Sequence, residues 1–450
     1  MKIYPYIYAS KMSEMKAFRY LFINLSFSFV FLLLAVNTAG QERAARVKPS
    51  AEPDRIVLNI TANPATSMAV TWRTDTSVSE SIALISKNLS TVFLADSAKE
   101  TRGTFIDVTG DGVIGRFHSV IFTGLMPETV YAYCLGSGTD VTEWFTFTTA
   151  SAEPEPFTFL YLGDAQGSNS LYSRVIRKAF RSQPDAAFMI FTGDLVDGGT
   201  GGVLQDDEWA GWYEAAGFIT AEVPVAPIPG NHEYYNPVNR MQRELNRYWK
   251  PGFTLPENGP AGLEETSYTF DYQGVRFIFI DSDEMLRNDA LARKEELWVE
   301  NLLKDNPCRW TIMTFHHPLF STYAMRDNKK VREILKPLID TYHVDMVLTG
   351  HDHTYARGEV MPDVEDKTGR FTGTVYIVSV SGHKQYMQDA SSWWDVGYTN
   401  TQTWQTIRVD HNELTYKACD ASGEVIDSFT LKKKRNGRNL LRSDLLNDRK

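Results

Sequence analysis

Five short motifs hold the residues of this sequence that are best suited to chemistry. They are Gly163–Gln166 (GDAQ), Gly193–Asp197 (GDLVD), Gly230–Glu233 (GNHE), His316–Pro318 (HHP) and Gly350–His353 (GHDH). Carboxylate, amide and imidazole groups of this kind are hard or borderline ligands, which suit Mn, Fe or Zn. A pair of such metals needs one shared carboxylate and several terminal ligands. The motifs supply enough of both.

Each motif comes at the end of an apolar run, and helical patterns lie between the runs. Examples of these runs are FTFLY (157–161), AAFMIFT (186–192), WTIMTF (310–315) and VDMVLT (344–349). Strands that alternate with helices predict a layered α/β domain, with two β-sheets flanked by helices, over residues 155–432. Ligands of such folds collect at the carboxyl ends of the strands, so the motifs are expected to converge there.

The preceding segment, residues 54–150, has a different pattern. Short alternating or β-branched runs are separated by Gly, Asn, Asp and Pro, which predicts an all-β sandwich. Its Thr123–Tyr133 stretch (TGLMPETVYAY) resembles the fibronectin type III pattern of a Leu-x-Pro turn followed by Tyr-x-Tyr, with Trp72 as the core tryptophan.

Both ends of the chain read as segments outside these domains. Lys16 and Arg19 precede an apolar run from Leu21 to Val36, and this order predicts a signal peptide within residues 1–40, after an upstream extension. A linker at 41–53 follows. The protein is thus expected to be secreted or periplasmic, without stable membrane insertion after cleavage. An uncleaved membrane anchor is the alternative. Residues 433–450 are basic and predict a mobile tail.

Composition excludes several other classes of protein. Lys and Arg number 46 against 56 Asp and Glu, for a net charge of −10, so nucleic acid is not expected as a partner. The three cysteines form no CxxC pair, which leaves a thiolate zinc site unsupported. A GxSxG nucleophile elbow, the mark of many serine hydrolases, is absent from the sequence.

The order and strand-end context of the five motifs resemble those of the calcineurin-like metallophosphoesterase superfamily. Together with the N-terminal sandwich they resemble purple acid phosphatases, whose GHxHxYER segment is similar to Gly350–Arg357 (GHDHTYAR). The resemblance covers about Glu52 to Ser381.

This resemblance implies two divalent metal ions (Mn, Fe or Zn) and a role for each motif residue. Asp164 and His353 would hold the first metal, and Asp194 would bridge both. The second metal would be held by Asn231, His316 and His351. His232 would face the substrate and protonate the leaving oxygen. A hydroxide between the metals would attack phosphorus in line.

Two positions depart from the family pattern. Asp197 stands where purple acid phosphatases have the tyrosine that colours their iron(III), so this protein is not expected to be purple. Gln166 stands where many members of the superfamily have a histidine, and its amide oxygen could bind the first metal or a water on it. Asp197 either belongs to a turn and supports the metal ligands or is itself a metal ligand. Both departures favour Mn, Fe(II) or Zn over Fe(III) at the first site.

Two further residues are candidates for substrate binding. His317 adjoins His316, and either packs behind it or contacts the substrate. Arg326 lies in the loop after His316 and could reach a phosphate, although a surface arginine is the alternative.

The sequence thus predicts a secreted, dinuclear metal-dependent phosphomonoesterase that acts on small phosphoesters. The same site could instead cleave phosphodiesters or nucleotides, because fold alone does not decide substrate class. A binding module with a silent catalytic domain is the third reading. The complete set of candidate ligands argues against it.

Overall fold

The computed structural model describes residues 48–110, 112–138, 140–199, 205–234, 243–323, 325–360, 372–389 and 393–443. The predicted signal segment, with its membrane-anchor alternative, lies outside the described residues, as do residues 41–47 of the linker and 444–450 of the tail. Among the helices that are described, none has the length and apolarity to cross a membrane.

A β-sandwich forms the N-terminal part of the described chain, as predicted. Its strands are β1 (Asp54–Asn59), β2 (Ser67–Thr74), β3 (Ile82–Lys87), β4 (Lys99–Arg102), β5 (Thr104–Gly110), β6 (Val113–Thr123), β7 (Val130–Ser137), β8 (Asp140–Val141) and β9 (Phe145–Thr148). One layer has the order β1-β2-β6-β5, and the other has the order β4-β3-β7-β8, with β9 also paired to β7. Trp72 is buried in the core between the layers, which confirms its predicted place.

The strands of the α/β part follow. They are β10 (Phe157–Leu162), β11 (Met189–Phe191), β12 (Val225–Pro227), β13 (Tyr268–Tyr272), β14 (Val275–Ile280), β15 (Trp310–Phe315), β16 (Met346–Thr349), β17 (Tyr355–Val360), β18 (Thr374–Val378), β19 (Val396–Tyr398), β20 (Thr403–Asp410), β21 (Glu413–Asp420), β22 (Val425–Lys433) and β23 (Asn439–Ser443).

These strands form two sheets, as the sequence predicts. The first has the order β23-β22-β21-β20-β10-β11-β12-β1-β2-β6-β5, and the second has the order β13-β14-β15-β16-β18-β17-β19. Strands β10, β11 and β12 are parallel, as are β14, β15, β16 and β18, so their carboxyl ends share an edge in each sheet. Aromatic rings fill the space between the sheets, for example Phe159 against Phe277 with centroids 5.3 Å apart.

The sandwich and the α/β part share the first sheet. Strand β1 pairs in parallel with β12 through Asn59 and Val225. A buried ion pair adds to this junction, because Arg55 Nη1 lies 2.7 Å from Asp206 Oδ1. The N-terminal sandwich is therefore continuous with the sheet that carries part of the candidate site.

The C-terminal strands correct one expectation. Strands β20, β21 and β22 extend the first sheet beside β10. The prediction of a mobile tail from residue 433 is wrong as far as Ser443, because β23 pairs with β22 in a hairpin. Residues 435–437 form its loop, which includes Asn436 and ends at Gly437 with a φ of 78°.

The helices cover the outer faces of the sheets. They are α1 (Asn169–Ser182), α2 (Gln205–Ala216), α3 (Ile219–Glu222), α4 (Trp249–Gly252), α5 (Ser282–Arg287), α6 (Asp289–Lys304) and α7 (Lys329–Tyr342). Helix α1 buries Tyr172, Val175, Ile176 and Ala179, one stripe at helical spacing. Helix α6 is preceded by the N-cap residue Asn288, whose side chain accepts hydrogen bonds from two backbone N–H groups of the first turn.

A fully buried ion pair joins the two sheets. Arg357 on β17 donates from Nε and Nη2 to the two carboxylate oxygens of Asp427 on β22, with both distances 3.0 Å. Tyr355 donates to the same carboxylate at 2.7 Å. Since a buried charge without a partner is strongly unfavourable, this pair makes correct packing of the sheets a condition of stability.

We expect Asp427→Asn to destabilise the protein by about 3–5 kcal/mol, because it removes the buried counter-charge of Arg357 and leaves only the exposed Asp395 carboxylate, 3.5 Å from Nη1, beside the guanidinium. Urea unfolding followed by circular dichroism measures the change. The matched control is Asp410→Asn, which removes one partner of the exposed Arg408–Asp410 pair and is expected to cost less than about 1 kcal/mol. Equal stability of the two variants would contradict this account.

Candidate metal centre

The five motifs meet at the carboxyl ends of the central strands of both sheets. The loops after β10, β11 and β12 bring Asp164, Asp194 and Asn231 from the first sheet. The loops after β15 and β16 bring His316 and the two histidines of GHDH from the second. The structure thus places the predicted ligands in one cluster, although their binding of metal stays a prediction.

Asp194 lies at the centre of this cluster. It is almost fully buried and has a φ of 51°, which turns its side chain sharply away from the strand. Its Oδ1 accepts the backbone N–H of His232 at 2.9 Å, and its Oδ2 lies 3.3 Å from His316 Nε2. Asp194 thus faces residues of both sheets, as the predicted bridging role requires.

Asp164, Asp194 and His353 form one candidate ligand group. One donor atom from each lies within 4.8 Å of the others, and His353 Nε2 is 3.2 Å from Asp164 Oδ2. His353 Nδ1 lies 3.0 Å from the Lys384 carbonyl oxygen, so Nδ1 carries the proton and Nε2 keeps its lone pair. Burial lowers the pKa of His353 to about 3, which keeps the ring neutral and able to bind a cation.

His316, His317 and His351 form the second group by the same distance measure. His316 Nδ1 donates to the Thr192 carbonyl at 2.7 Å, which directs Nε2 into the cluster. His316 Nε2 lies 3.1 Å from His351 Nδ1 and 3.2 Å from Asn231 Oδ1. The predicted ligands of the second site are therefore brought together.

The donor set fits a bound cation. A neutral His316 directs a lone pair at acceptor atoms of Asp194 and Asn231, and such a convergence is favourable only around a proton or a metal ion. Burial alone would lower the pKa of His316, but the carboxylates of Asp194 and Asp164 raise it to about 10. This strongly negative potential, together with oxygen and imidazole donors, is suited to Mn, Fe or Zn.

Glu233 holds the backbone around Asp194. Its buried carboxylate accepts the N–H groups of Gly230 at 2.7 Å and of Asp194 and Leu195 at 2.8 Å each. Burial, with the charge of Asp194 added, raises the pKa of Glu233 to about 8. The glutamate of GNHE therefore serves the loop and not the substrate.

Gln166 reaches the first group, where the sequence left its role open. Its Nε2 lies 2.9 Å from Asp194 Oδ2 and 3.3 Å from His353 Nε2. Its Oε1 lies 3.4 Å from the Lys384 ammonium. Direct binding of metal by Gln166 stays a prediction.

His232 is placed at the edge of the cluster by a contact with Asp197. His232 Nδ1 lies 2.8 Å from the Asp197 carbonyl oxygen, and His232 Nε2 lies 4.0 Å from Asp194 Oδ2. The side chain of His232 is 14% exposed, whereas that of Asp194 is 1% exposed. The His232 side chain is therefore more accessible to solvent than the Asp194 carboxylate.

The two remaining candidates support the loops as well as the site. His317 is buried, with its Nδ1 2.9 Å from Ser282 Oγ and its ring 4.3 Å from the His351 ring, which favours a supporting role over contact with substrate. Arg326 is half-buried, and its Nη1 donates to the His351 carbonyl and, at 3.2 Å, to Asp352 Oδ1. Its contact with substrate stays a prediction.

Sequence reasoning missed Lys384 and Tyr386. Lys384 orients His353 through its carbonyl, and the Tyr386 ring lies 4.6 Å from the His353 ring. Their position was recoverable in part, because SGHKQY follows the apolar strand β18 at the same edge as the motifs. The contacts themselves are tertiary and leave no pattern in the sequence.

Comparison with known families assigns both parts of the chain. Residues 157–355 match the calcineurin-like phosphoesterase family, and residues 53–149 match the purple acid phosphatase N-terminal domain. Together these matches cover most of the described chain and include all five motifs.

Curated relatives agree with this assignment. Purple acid phosphatase 15 of Arabidopsis thaliana is 24% identical over 298 residues, which are 60% of this chain and 54% of that protein. Acid phosphatase type 7 of Danio rerio is 26% identical over 423 residues, 82% of this chain and 89% of that protein. The chain spans only 54% and 62% of the lengths of purple acid phosphatases 15 and 23 of Arabidopsis thaliana.

Solved structures show the same fold. A purple acid phosphatase from yellow lupin (Lupinus luteus) seeds superposes with a TM-score of 0.71 at 18% identity, covering 86% of this chain and 75% of that one. The structure of PhoD superposes with a TM-score of 0.62 at 13% identity, covering 88% and 92%. The chain therefore consists of a purple acid phosphatase N-terminal domain followed by a calcineurin-like phosphoesterase domain, and it has the fold of a purple acid phosphatase.

Proposed function

We propose that this protein is an exported, dinuclear metal-dependent phosphomonoesterase that acts on small phosphoesters. The observation that carries the proposal is the meeting of lone pairs from five strand-end loops around the buried carboxylate of Asp194. A silent domain would have no reason to keep this unfavourable arrangement. Export rests on the N-terminal segment, which lies outside the described residues.

Each metal would have ligands from both sheets. Asp164 and His353 would bind the first ion, and Asn231, His316 and His351 the second, with Asp194 shared. When bound, the ions would offset the charge of the phosphoryl oxygens and lower the pKa of a water that serves as nucleophile.

His232 is suited to the proton transfer that the leaving oxygen needs. Its Nδ1 faces the Asp197 carbonyl, an acceptor without a proton, so Nδ1 keeps its own hydrogen. Nε2 is then the nitrogen available for proton transfer, and it lies 4.0 Å from Asp194 Oδ2. His232 can thus protonate the alkoxide without changing its contact to Asp197.

Metal dependence and substrate class are tested in one assay. The protein is stripped with chelator, reloaded with Mn, Zn or Fe(II), and given p-nitrophenyl phosphate or bis-p-nitrophenyl phosphate. We expect hydrolysis only after reloading and a higher kcat/KM for the monoester. Faster turnover of the diester would move the assignment to phosphodiesterase, and no turnover of either with metals bound would contradict the proposal.

We expect Asp194→Asn to lower kcat about a thousandfold or more and to reduce metal content, because a neutral amide cannot supply the shared negative charge. Turnover and atomic absorption measure the two effects, and circular dichroism is expected to show an unchanged fold. The matched control is the exposed Asp185→Asn, which should retain wild-type activity. Full activity with full metal content in Asp194→Asn would rule out its bridging role.

The iron-loaded, oxidised protein is expected to lack a visible phenolate-to-iron(III) absorption band, because Asp197 stands at the tyrosine position of the family. An absorption spectrum checks this, and Asp197→Tyr is expected to create the band. A purple wild-type protein would mean that another tyrosine, with Tyr386 beside His353 the first candidate, binds the iron.

A further inference from the structure

A cluster of two aromatic and two cationic side chains borders the first ligand group. It consists of Tyr323, Arg326, Lys384 and Tyr386, called here the Tyr386 cluster. The Tyr386 ring centroid lies 5.7 Å from that of Tyr323, 5.0 Å from the Arg326 guanidinium and 5.9 Å from the Lys384 ammonium. All four side chains are half-buried, so the cluster is part of the accessible rim.

The Lys384 ammonium is the distinctive group of this cluster. Its Nζ lies 3.4 Å from Gln166 Oε1, a long hydrogen bond to a neutral acceptor. In the part of the chain that the structure describes, no carboxylate lies within 4.0 Å of Nζ. A half-buried ammonium has three donors and loses part of its hydration. This one is therefore left with donors for an anion from outside.

Lys384 is fixed to the metal-ligand loops by its own backbone. Its carbonyl accepts from His353, and the N–H groups of Ser381 and Gly382 both donate to the Asp164 carbonyl. A Cβ on Gly382 would lie 2.6 Å from the Gln166 carbonyl oxygen, so the segment packs closely there. The backbone of Lys384 is therefore held at a set place beside the first ligand group, and the contact with Gln166 brings the ammonium to that group.

Arg326 contributes a second, more strongly held positive charge. One of its nitrogens is bound to the His351 carbonyl and to Asp352, and Asp352 is itself buried and accepts from Thr322 N–H. These contacts hold the guanidinium against the Tyr386 ring. Two cations thus approach one aromatic ring at the edge of a site that binds phosphoryl groups under the proposed function.

We propose that Lys384, with Arg326, binds a second anionic group of the substrate, either a phosphate or a carboxylate. The protein then prefers phosphoesters that carry two anionic groups over otherwise similar esters with one. This inference rests on the proposed function, since it names the substrate class of the same site. Lys384 is a specificity-determining residue in this account, and the reacting phosphoryl group is bound elsewhere.

Two matched substrate pairs test the preference on the metal-loaded protein. Fructose 1,6-bisphosphate is compared with fructose 6-phosphate, and 3-phosphoglycerate with glycerol 3-phosphate. We expect the member with two anionic groups to have a kcat/KM about tenfold higher, mainly through KM, as suits a charged hydrogen bond. A preference in one pair only identifies phosphate or carboxylate as the group recognised. Added salt is expected to reduce the preference.

Variants of Lys384 show whether this residue causes the preference for substrates with two anionic groups. Lys384→Met is expected to remove most of the preference, and Lys384→Arg to keep most of it. Lys87→Met, an exposed lysine at the end of β3, is the matched control and should leave the preference unchanged. Melting temperature and metal content are measured for each variant, because a merely structural role of Lys384 would change these and would lower kcat/KM for both members of a pair alike.

A binding measurement separates this inference from the proposed function. Calorimetry compares the affinities of 3-phosphonopropionate and propylphosphonate. Neither compound can be hydrolysed, and only the first carries a carboxylate. Tighter binding of 3-phosphonopropionate that is lost in Lys384→Met supports the second anion site. This holds even if no ester is cleaved, and only the proposed function then fails. Cleavage of all four esters without preference in either pair, together with equal binding of the two phosphonates, would overturn the inference and leave the proposed function intact.

Discussion

The buried carboxylate of Asp194 is the constraint on which the rest of this site depends. A carboxylate that is almost fully removed from water is tolerated only with donors or a cation around it. Backbone and amide donors satisfy part of this need, from His232 and Gln166. The remaining acceptor capacity faces His316, so the site favours a bound cation. The Asp194 side chain therefore contributes both to the stability of the turn after β11 and to the chemistry of the site.

The distance between the two sheets must be fixed if ligands from both are to bind the same cation. Asp164, Asp194 and Asn231 come from the first sheet and the histidines from the second, so the centre spans their interface. Packing of Phe159 on Phe277 and the Arg357–Asp427 pair determine the separation deep in the core. Close to the site, the Tyr161 hydroxyl on β10 donates to the Thr349 carbonyl on β16. The metal geometry is thus a consequence of sheet packing.

Much of this could be predicted because the decisive signals are local. A polar residue directly after an apolar run marks the rim of a sheet, and five such motifs located the site. Pairing of Asn59 with Val225 could not be predicted, because it joins strands far apart in sequence. The hairpin at Asn436–Gly437 could have been, since Asn-Gly is a strong turn signal. The prediction of a mobile tail gave more weight to the basic composition of this segment than to its turn residues.

Gln166 connects Lys384 to the first ligand group. The amide of Gln166 offers Oε1 to the Lys384 ammonium and Nε2 to Asp194 Oδ2 at once. Lys384 in turn brings a positive charge toward a group that has lost the family's tyrosine. Less negative charge is then needed from the protein ligands, which is consistent with a divalent first metal. Under the proposed function, Gln166 therefore stands between the first metal site and Lys384, the residue proposed to bind a second anion.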